Sequence, residues 1–393
     1  MRLRKITLFG ITLSFGLFLG LLLVELGLRL VPTLLPLETH SQLSQKRWLA
    51  PIGLPQFLAE YRQLWEDDAH LRERMKPDID TVVHGNPEYP SWVIRTDSLN
   101  LGPAGFRDTL PNADPYALIL GDSFGFGVGV AQEDLWLEQL EVKHKLPFVN
   151  LSQVGASSIQ ESLIYEYYGQ QLPTKVVFWM FFQNDLKDNL RFAQWQNPQI
   201  TIPQAARLPT QNCSALIHRV LKRYSLAYEL FLYSQQRCHY SALIPPPVYQ
   251  DNELDLIFCL DHDICDLQVQ ADMLANGWPF TQQALLEART AAEQIGAIFV
   301  IVIVPSKEQV YWEQFEQVSA LPDTYDINQL VNPVLTLCAA EGLNCLDLAP
   351  PLREEAQKGQ QLYFPVDIHW NEAGHRVVAD AVEQFLHEKN LLP

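Results

Sequence analysis

Positive charge is scarce in this 393-residue chain, where 28 Lys and Arg face 46 Asp and Glu for a formal net charge of −18. A surface this acidic has little with which to neutralise phosphates, so nucleic acid is not an expected partner. Cysteine is sparse at six residues, which excludes a small disulfide knot. No internal repeat or low-complexity tract is present, and a composition of 48% hydrophobic and 19% charged residues excludes a disordered or collagen-like chain. The sequence also lacks paired C-x-x-C or histidine spacings, so neither a zinc site nor any other metal or cofactor is expected. What remains is a chain long enough for one large domain with an elaboration.

The few positive charges are unevenly placed. Arg2, Arg4 and Lys5 precede an apolar run from Ile6 to Leu28 that holds one charge, Glu25. At about 1.5 Å per residue a helix of this length spans roughly 35 Å, enough for a hydrocarbon core of about 30 Å. A cleaved signal peptide would have a shorter apolar region and a small-residue cleavage site, which Glu25–Pro32 does not offer. The expectation is a cytoplasmic tail over 1–5, a transmembrane helix over 6–28 and an extracytoplasmic remainder. In a bacterial envelope that means an inner-membrane anchor with a periplasmic domain.

The cysteines fall as Cys213 and Cys238, Cys259 and Cys265, and Cys338 and Cys345. In an oxidising compartment this reads as two or three disulfides, with connectivity left open. The segment Cys259-Leu-Asp-His-Asp-Ile-Cys265 packs possible metal ligands together, but a disulfide loop suits it better.

Residues 29–94 read as a juxtamembrane segment, with a helix-like pattern (Phe57, Leu58, Tyr61, Leu64, Trp65) passing into a charged stretch to Asp80. From about 95 onward the pattern turns regular. Apolar runs at Tyr116–Leu120, Phe148–Leu151, Val176–Phe182, Ile298–Val304 and Leu346–Leu348 predict strands. Several lack alternation, as befits parallel strands covered on both faces. Helical periodicity lies between them at Glu133–Val142, Ser158–Gln170, Thr281–Ile295 and Ile327–Ala340, with a last helix over Glu372–His387. This alternation predicts a three-layer α/β domain with a mostly parallel sheet, interrupted by an insertion over 190–277.

Four short blocks sit at the expected strand ends. Gly121-Asp122-Ser123 follows the first strand, where α/β folds place ligands. Gly155 follows the second, Asn184 the third, and Asp367-Ile-His369-Trp370 precedes the last helix. Each has a bland reading as a turn, a loop cap or an N-cap. Residues two apart in extended chain point the same way, so Asp367 can orient His369. The four together, in this order, resemble the SGNH or GDSL-type hydrolases. The resemblance covers roughly residues 95–386, leaving out the insertion.

That resemblance implies Ser123 as nucleophile, His369 as general base and Asp367 as its orienting acid. It implies an oxyanion hole from the backbone N–H groups of Ser123 and Gly155 and the Asn184 side chain. Asn100–Asp108 and Pro305–Tyr311 look like stretches of membrane-anchored bacterial members. There are two departures. Phe182 stands where the third block commonly has glycine, and Val366 where the last block commonly has aspartate. The shorter Asp-x-His-Trp is similar to the alginate O-acetyltransferase branch. The implied function is an esterase acting on an O-acyl group of a carbohydrate or envelope component. A polysaccharide O-acetyltransferase and a non-catalytic envelope scaffold are the alternatives. Trp370 is a candidate sugar-binding wall, with packing under the last helix as the other reading.

Overall fold

The computed structural model describes residues 64–83, 91–109, 111–200, 247–260, 262–322 and 325–392, together with short helical pieces within 19–30. The chain divides into two compact units, the larger comprising 64–83, 87–209 and 246–393. The described residues of the smaller unit are helical, and Leu19, Leu22, Leu23, Val24, Leu26 and Leu30 are exposed. Among the described residues no helix is long and apolar enough to cross a membrane. Most of the expected span over 6–28 lies outside the described residues, as do Cys213, Cys238 and residues 57–63.

The larger unit begins with two antiparallel ribbons. Strand β1 (Trp65–Asp68) pairs with β2 (Arg72–Met75), and β3 (Asp80–Val83) pairs with β4 (Trp92–Arg95). The charged stretch lies on these ribbons: Leu71 and Met75 are buried in the core while Arg74 forms ion pairs with Glu66 and Asp68. The larger unit takes in these ribbons from Leu64 onward.

The main sheet holds five parallel strands: β5 (Ala117–Gly121), β6 (Phe148–Asn150), β7 (Val176–Phe181), β10 (Ile298–Ile303) and β11 (Asn344–Asp347). Their spatial order is β6-β5-β7-β10-β11. The chain starts in β5, steps to one neighbour and returns across to the other, so the carboxyl ends of β5 and β7 flank the switch point at which such sheets bind ligands. Strands β5 and β7 are buried along their whole length, which explains why their sequences run apolar without alternation.

Helices cover both faces. Leu118, Leu120, Val177, Trp179, Ile301 and Ile303 share one core with helix α3 (Ser158–Tyr167), α6 (Trp278–Gln294) and α9 (Asn332–Glu341). Helix α2 (Trp136–His144) packs against the last helix, α11 (Glu372–Glu388), and Trp136 meets the Phe178 ring edge-on. Local signals set the ends of these helices. Ser157 and Gln160 form a capping box on α3, Asn371 caps α11, and Gly342 closes α9 in the left-handed conformation.

Part of the expected insertion over 190–277 lies outside the described residues. Helix α4 (Asp185–Gln196) runs past its expected start, and the larger unit resumes at Pro246. From there come the hairpin β8–β9 (Val248–Gln250 and Asp255–Ile257), a disulfide between Cys259 and Cys265, and helix α5 (Leu267–Asn276). A second disulfide joins Cys338 to Cys345.

Candidate active site

Strand β5 ends at Gly121, and the chain turns at once into a four-residue helix, α1 (Ser123–Phe126). Asp122 makes that turn by capping it: its Oδ1 accepts from Phe124 N–H at 2.9 Å. Ser123 therefore occupies the first helical position, with its backbone N–H free of the helix ladder. The turn fits only because Gly125 has no side chain, since a Cβ there would lie 2.2 Å from Ser152 Oγ. Asn150 tightens it further, donating from Nδ2 to Gly125 O at 2.9 Å.

A buried cation holds the far end of α1. Arg107 donates to the carbonyl oxygens of Phe126 (3.0 Å), Gly127 and Val130 (2.6 Å), and its guanidinium lies 4.7 Å from the Trp92 ring centre. Positive charge on the carbonyl end of a helix is favourable, and the planar fork of arginine satisfies several acceptors together.

The partner group arrives on a tight hairpin. Tyr363 and Trp370 form an antiparallel bridge, and within it Phe364 N–H donates to His369 O at 3.1 Å. Asp367 Oδ1 accepts from the backbone N–H of His369 at 2.8 Å and also contacts its Nδ1. A carboxylate only accepts, so Nδ1 carries the ring proton and Nε2 presents its lone pair. Nε2 lies 2.6 Å from Ser123 Oγ, which donates to it. Ser123, His369 and Asp367 are thus brought into one hydrogen-bonded chain although 246 positions separate the serine from the histidine.

The Asp367 carboxyl is held below the usual carboxylate range. Burial pushes it up, but His369, by charge and hydrogen bonds, and the nearby Lys307 charge outweigh that. Asp122 goes the other way. Burial raises it to about 6, opposed by the Phe124 N–H, by His369 and by a hydrogen bond with the Asn184 side chain. Behind it Glu161 and Asp185, both fully buried, are raised well above the carboxylate range by burial and by repulsion within the group.

Gly155 and Asn184 follow β6 and β7, the two strands that flank β5. Gly155 is the third residue of a turn closed by Ala156 N–H to Gln153 O at 3.0 Å, and its φ of +73° explains the glycine. Asn184 begins α4 just beyond β7, half-buried, beside Asp122. The departure at Phe182 has a packing reason: the ring is fully buried and lies 4.5 Å from that of Phe124.

Trp370 is a correction. The side chain is fully buried, edge-on to Phe124 at 4.9 Å and to His375 at 5.7 Å, so it is not a wall on which a sugar can stack. His375 beneath it is pushed down to about 3, chiefly by burial, and is a neutral packing residue. Arg107 and Lys307 lie in the Asn100–Asp108 and Pro305–Tyr311 stretches, but no residue pattern in the sequence gives either of them, or Glu161, a role.

A serine activated by a carboxylate-oriented imidazole at a sheet switch point is the site of an ester hydrolase or O-acyltransferase. Residues 266–393 match the family model described as the SGNH hydrolase-like domain of the acetyltransferase AlgX. The matched stretch includes Asp367 and His369 and excludes Ser123, Gly155 and Asn184. No curated protein matches the sequence. Similar solved structures include TesA, at 14% identity and TM-score 0.38, covering 70% of this chain and 99% of that one. A catalytic mutant of Axe2, an acetylxylan esterase from Geobacillus stearothermophilus, matches at 12% identity and TM-score 0.36, with 70% and 94% covered. A GDSL-like lipase from Bacteroides thetaiotaomicron matches at 9% identity and TM-score 0.34, with 70% and 88% covered.

Proposed function

We propose that this protein removes or transfers an O-acyl group of a carbohydrate through an acyl-serine intermediate on Ser123. The observation that carries the reading is the 2.6 Å contact between Ser123 Oγ and the unprotonated Nε2 of His369. During attack on the ester carbonyl, His369 takes the serine proton while Asp367 stabilises the imidazolium that forms. The negative charge growing on the carbonyl oxygen meets the N–H groups of Ser123 and Gly155 and the amide of Asn184. The leaving alcohol then takes the proton from His369, and a second nucleophile releases the acyl group by the same steps in reverse.

Water as that nucleophile gives an esterase. A sugar hydroxyl gives an O-acetyltransferase, a second reading favoured by the match of residues 266–393 to a domain from an acetyltransferase. We place the domain outside the cytoplasmic membrane, anchored through residues 6–28. The charge distribution at the N-terminus and the two disulfides support that placement.

A fluorophosphonate probe tests the common step. It should label a single peptide containing Ser123 in the wild type and nothing in Ser123→Ala; labelling at another serine overturns the assignment. Incubating an acetyl donor with oligosaccharide acceptors separates the two outcomes. A transferase holds the acceptor where its effective molarity outcompetes water, so acetylated sugar accumulates. Free acetate alone leaves the esterase.

A further inference from the structure

Lys307 lies two residues beyond Pro305 at the carboxyl end of β10, in the first turn of a short helix, α7 (Lys307–Val310), capped by Ser306. The residue is only 2% exposed. Lysine is almost never buried this deeply without a carboxylate partner. Here the ammonium donates its three N–H groups to three carbonyl oxygens: Phe364 at 2.7 Å, Pro365 at 3.0 Å and Ile257 at 3.2 Å. The first two belong to the segment that enters the Asp367–His369 hairpin. The third ends β9, whose Ile257 N–H also donates to Pro365 O.

We propose that Lys307 is a positioning residue for the acid–base pair, fixing the hairpin so that His369 Nε2 stands at Ser123 Oγ and keeping a positive charge behind Asp367. The inference rests on the reading of Ser123, His369 and Asp367 as the reacting chain.

The coupling is short in structural terms. Phe364 is tied to Lys307 through its carbonyl and to His369 through its N–H. A shift of Phe364 therefore displaces the imidazole, and a displacement of about 1 Å in a reacting group costs about 10²-fold in rate. The charge matters as well as the hydrogen bonds, because the ammonium helps to hold Asp367 ionised. The charged groups facing Lys307 are Glu308 on its own helix, Asp367 on the hairpin and Asp255 on β9. Burial outweighs their attraction and lowers the ammonium to about 8. Above that pH the neutral amine has two N–H groups for three acceptors and no charge for Asp367.

The test uses the full chain and a nitrophenyl acetate. Lys307→Met should lower kcat by about 10–10²-fold with KM little changed, since the acyl-binding groups are untouched. By proton NMR, the strongly deshielded His369 Nδ1–H, assigned through its loss in Asp367→Ala, should shift or broaden in Lys307→Met. A folded Lys307→Met with unchanged kcat and an unchanged resonance overturns the proposal. If that variant does not fold, the wild type decides. Its kcat should fall with a midpoint near pH 8 while the far-UV circular dichroism stays constant. A kcat that holds level to about pH 10, where an ordinary lysine begins to lose its proton, overturns the proposal. Ser123→Ala is run alongside. Turnover surviving in that variant would sink the serine reading, whereas the imidazole resonance reports on Lys307 independently of turnover.

Discussion

The two halves of the site are held by different means. The serine half is built into the sheet: β5 delivers Ser123, Asp122 caps its helix, Gly125 admits Ser152, and Arg107 ties down the last carbonyls. The histidine half sits outside the sheet, on a hairpin held by backbone hydrogen bonds between its arms and to β9, by its own Asp367 turn and by a lysine donating to its entry segment. A nucleophile placed by sheet register has little freedom to be misplaced. A base placed by a hairpin depends on a few polar contacts, so substitutions far from the imidazole can still move it.

The largest effects fall on the hydrogen-bonded chain itself. Ser123→Ala and His369→Ala should each reduce kcat by about 10⁴-fold or more, and the double variant should be no worse than either alone, because the residues act as a unit. Additive losses in steady-state kinetics would show that they work independently. Asp367→Asn should cost about 10⁴-fold if it fixes the imidazole tautomer, with the fold unchanged by circular dichroism. A variant at full rate would reduce Asp367 to a turn residue. On the serine half, Asn184→Ala should lower kcat by about 10²–10³-fold with KM little changed. An unaltered rate removes Asn184 from the oxyanion hole.

The serine half was also the more legible in the sequence. Strands β5, β7 and β10 are continuous apolar runs; the Gly-Asp-Ser block ends β5 and Asn184 lies just past β7, while Gly155 lies in the loop after the shorter β6. The strand limits shift by only a residue or so, as where Tyr116–Leu120 becomes Ala117–Gly121. The hairpin was legible as a motif and not as a shape. Nothing in Asp-x-His-Trp says that the tryptophan turns inward, because that depends on Phe124 and His375 arriving from distant positions. The roles of Arg107 and Lys307 were hidden for a related reason. Both serve backbone carbonyls, which leave no residue-type signature for a partner. The early ribbons were missed because Glu66–Asp80 carries charge on strands too short for alternation to be read.

The smallest predicted effect separates the halves by their response to acid. Behind the serine, Glu161 and Asp185 are raised well above the carboxylate range, first by burial, and Asp122 is raised to about 6 for the same reason. A raised carboxyl favours folding most below its unfolded pKa, and that contribution is lost as pH rises through the folded value. Asp367, being lowered, works in the opposite direction: its contribution is present above the ordinary carboxylate value and is lost as pH falls. Glu161→Gln takes one titrating group out of the serine half and leaves a neutral side chain of the same shape. At about pH 4 the wild-type carboxyl is protonated in the fold and resembles the amide, so the two proteins should melt together. At about pH 8 the unfolded wild type is ionised and folding must work against that charge. There the variant should melt about 2–4 °C higher for each kcal/mol of penalty removed. Differential scanning calorimetry at the two pH values reads the difference directly. An equal shift at both would mean that Glu161 acts through packing and that the contrast in titration between the two halves does not hold.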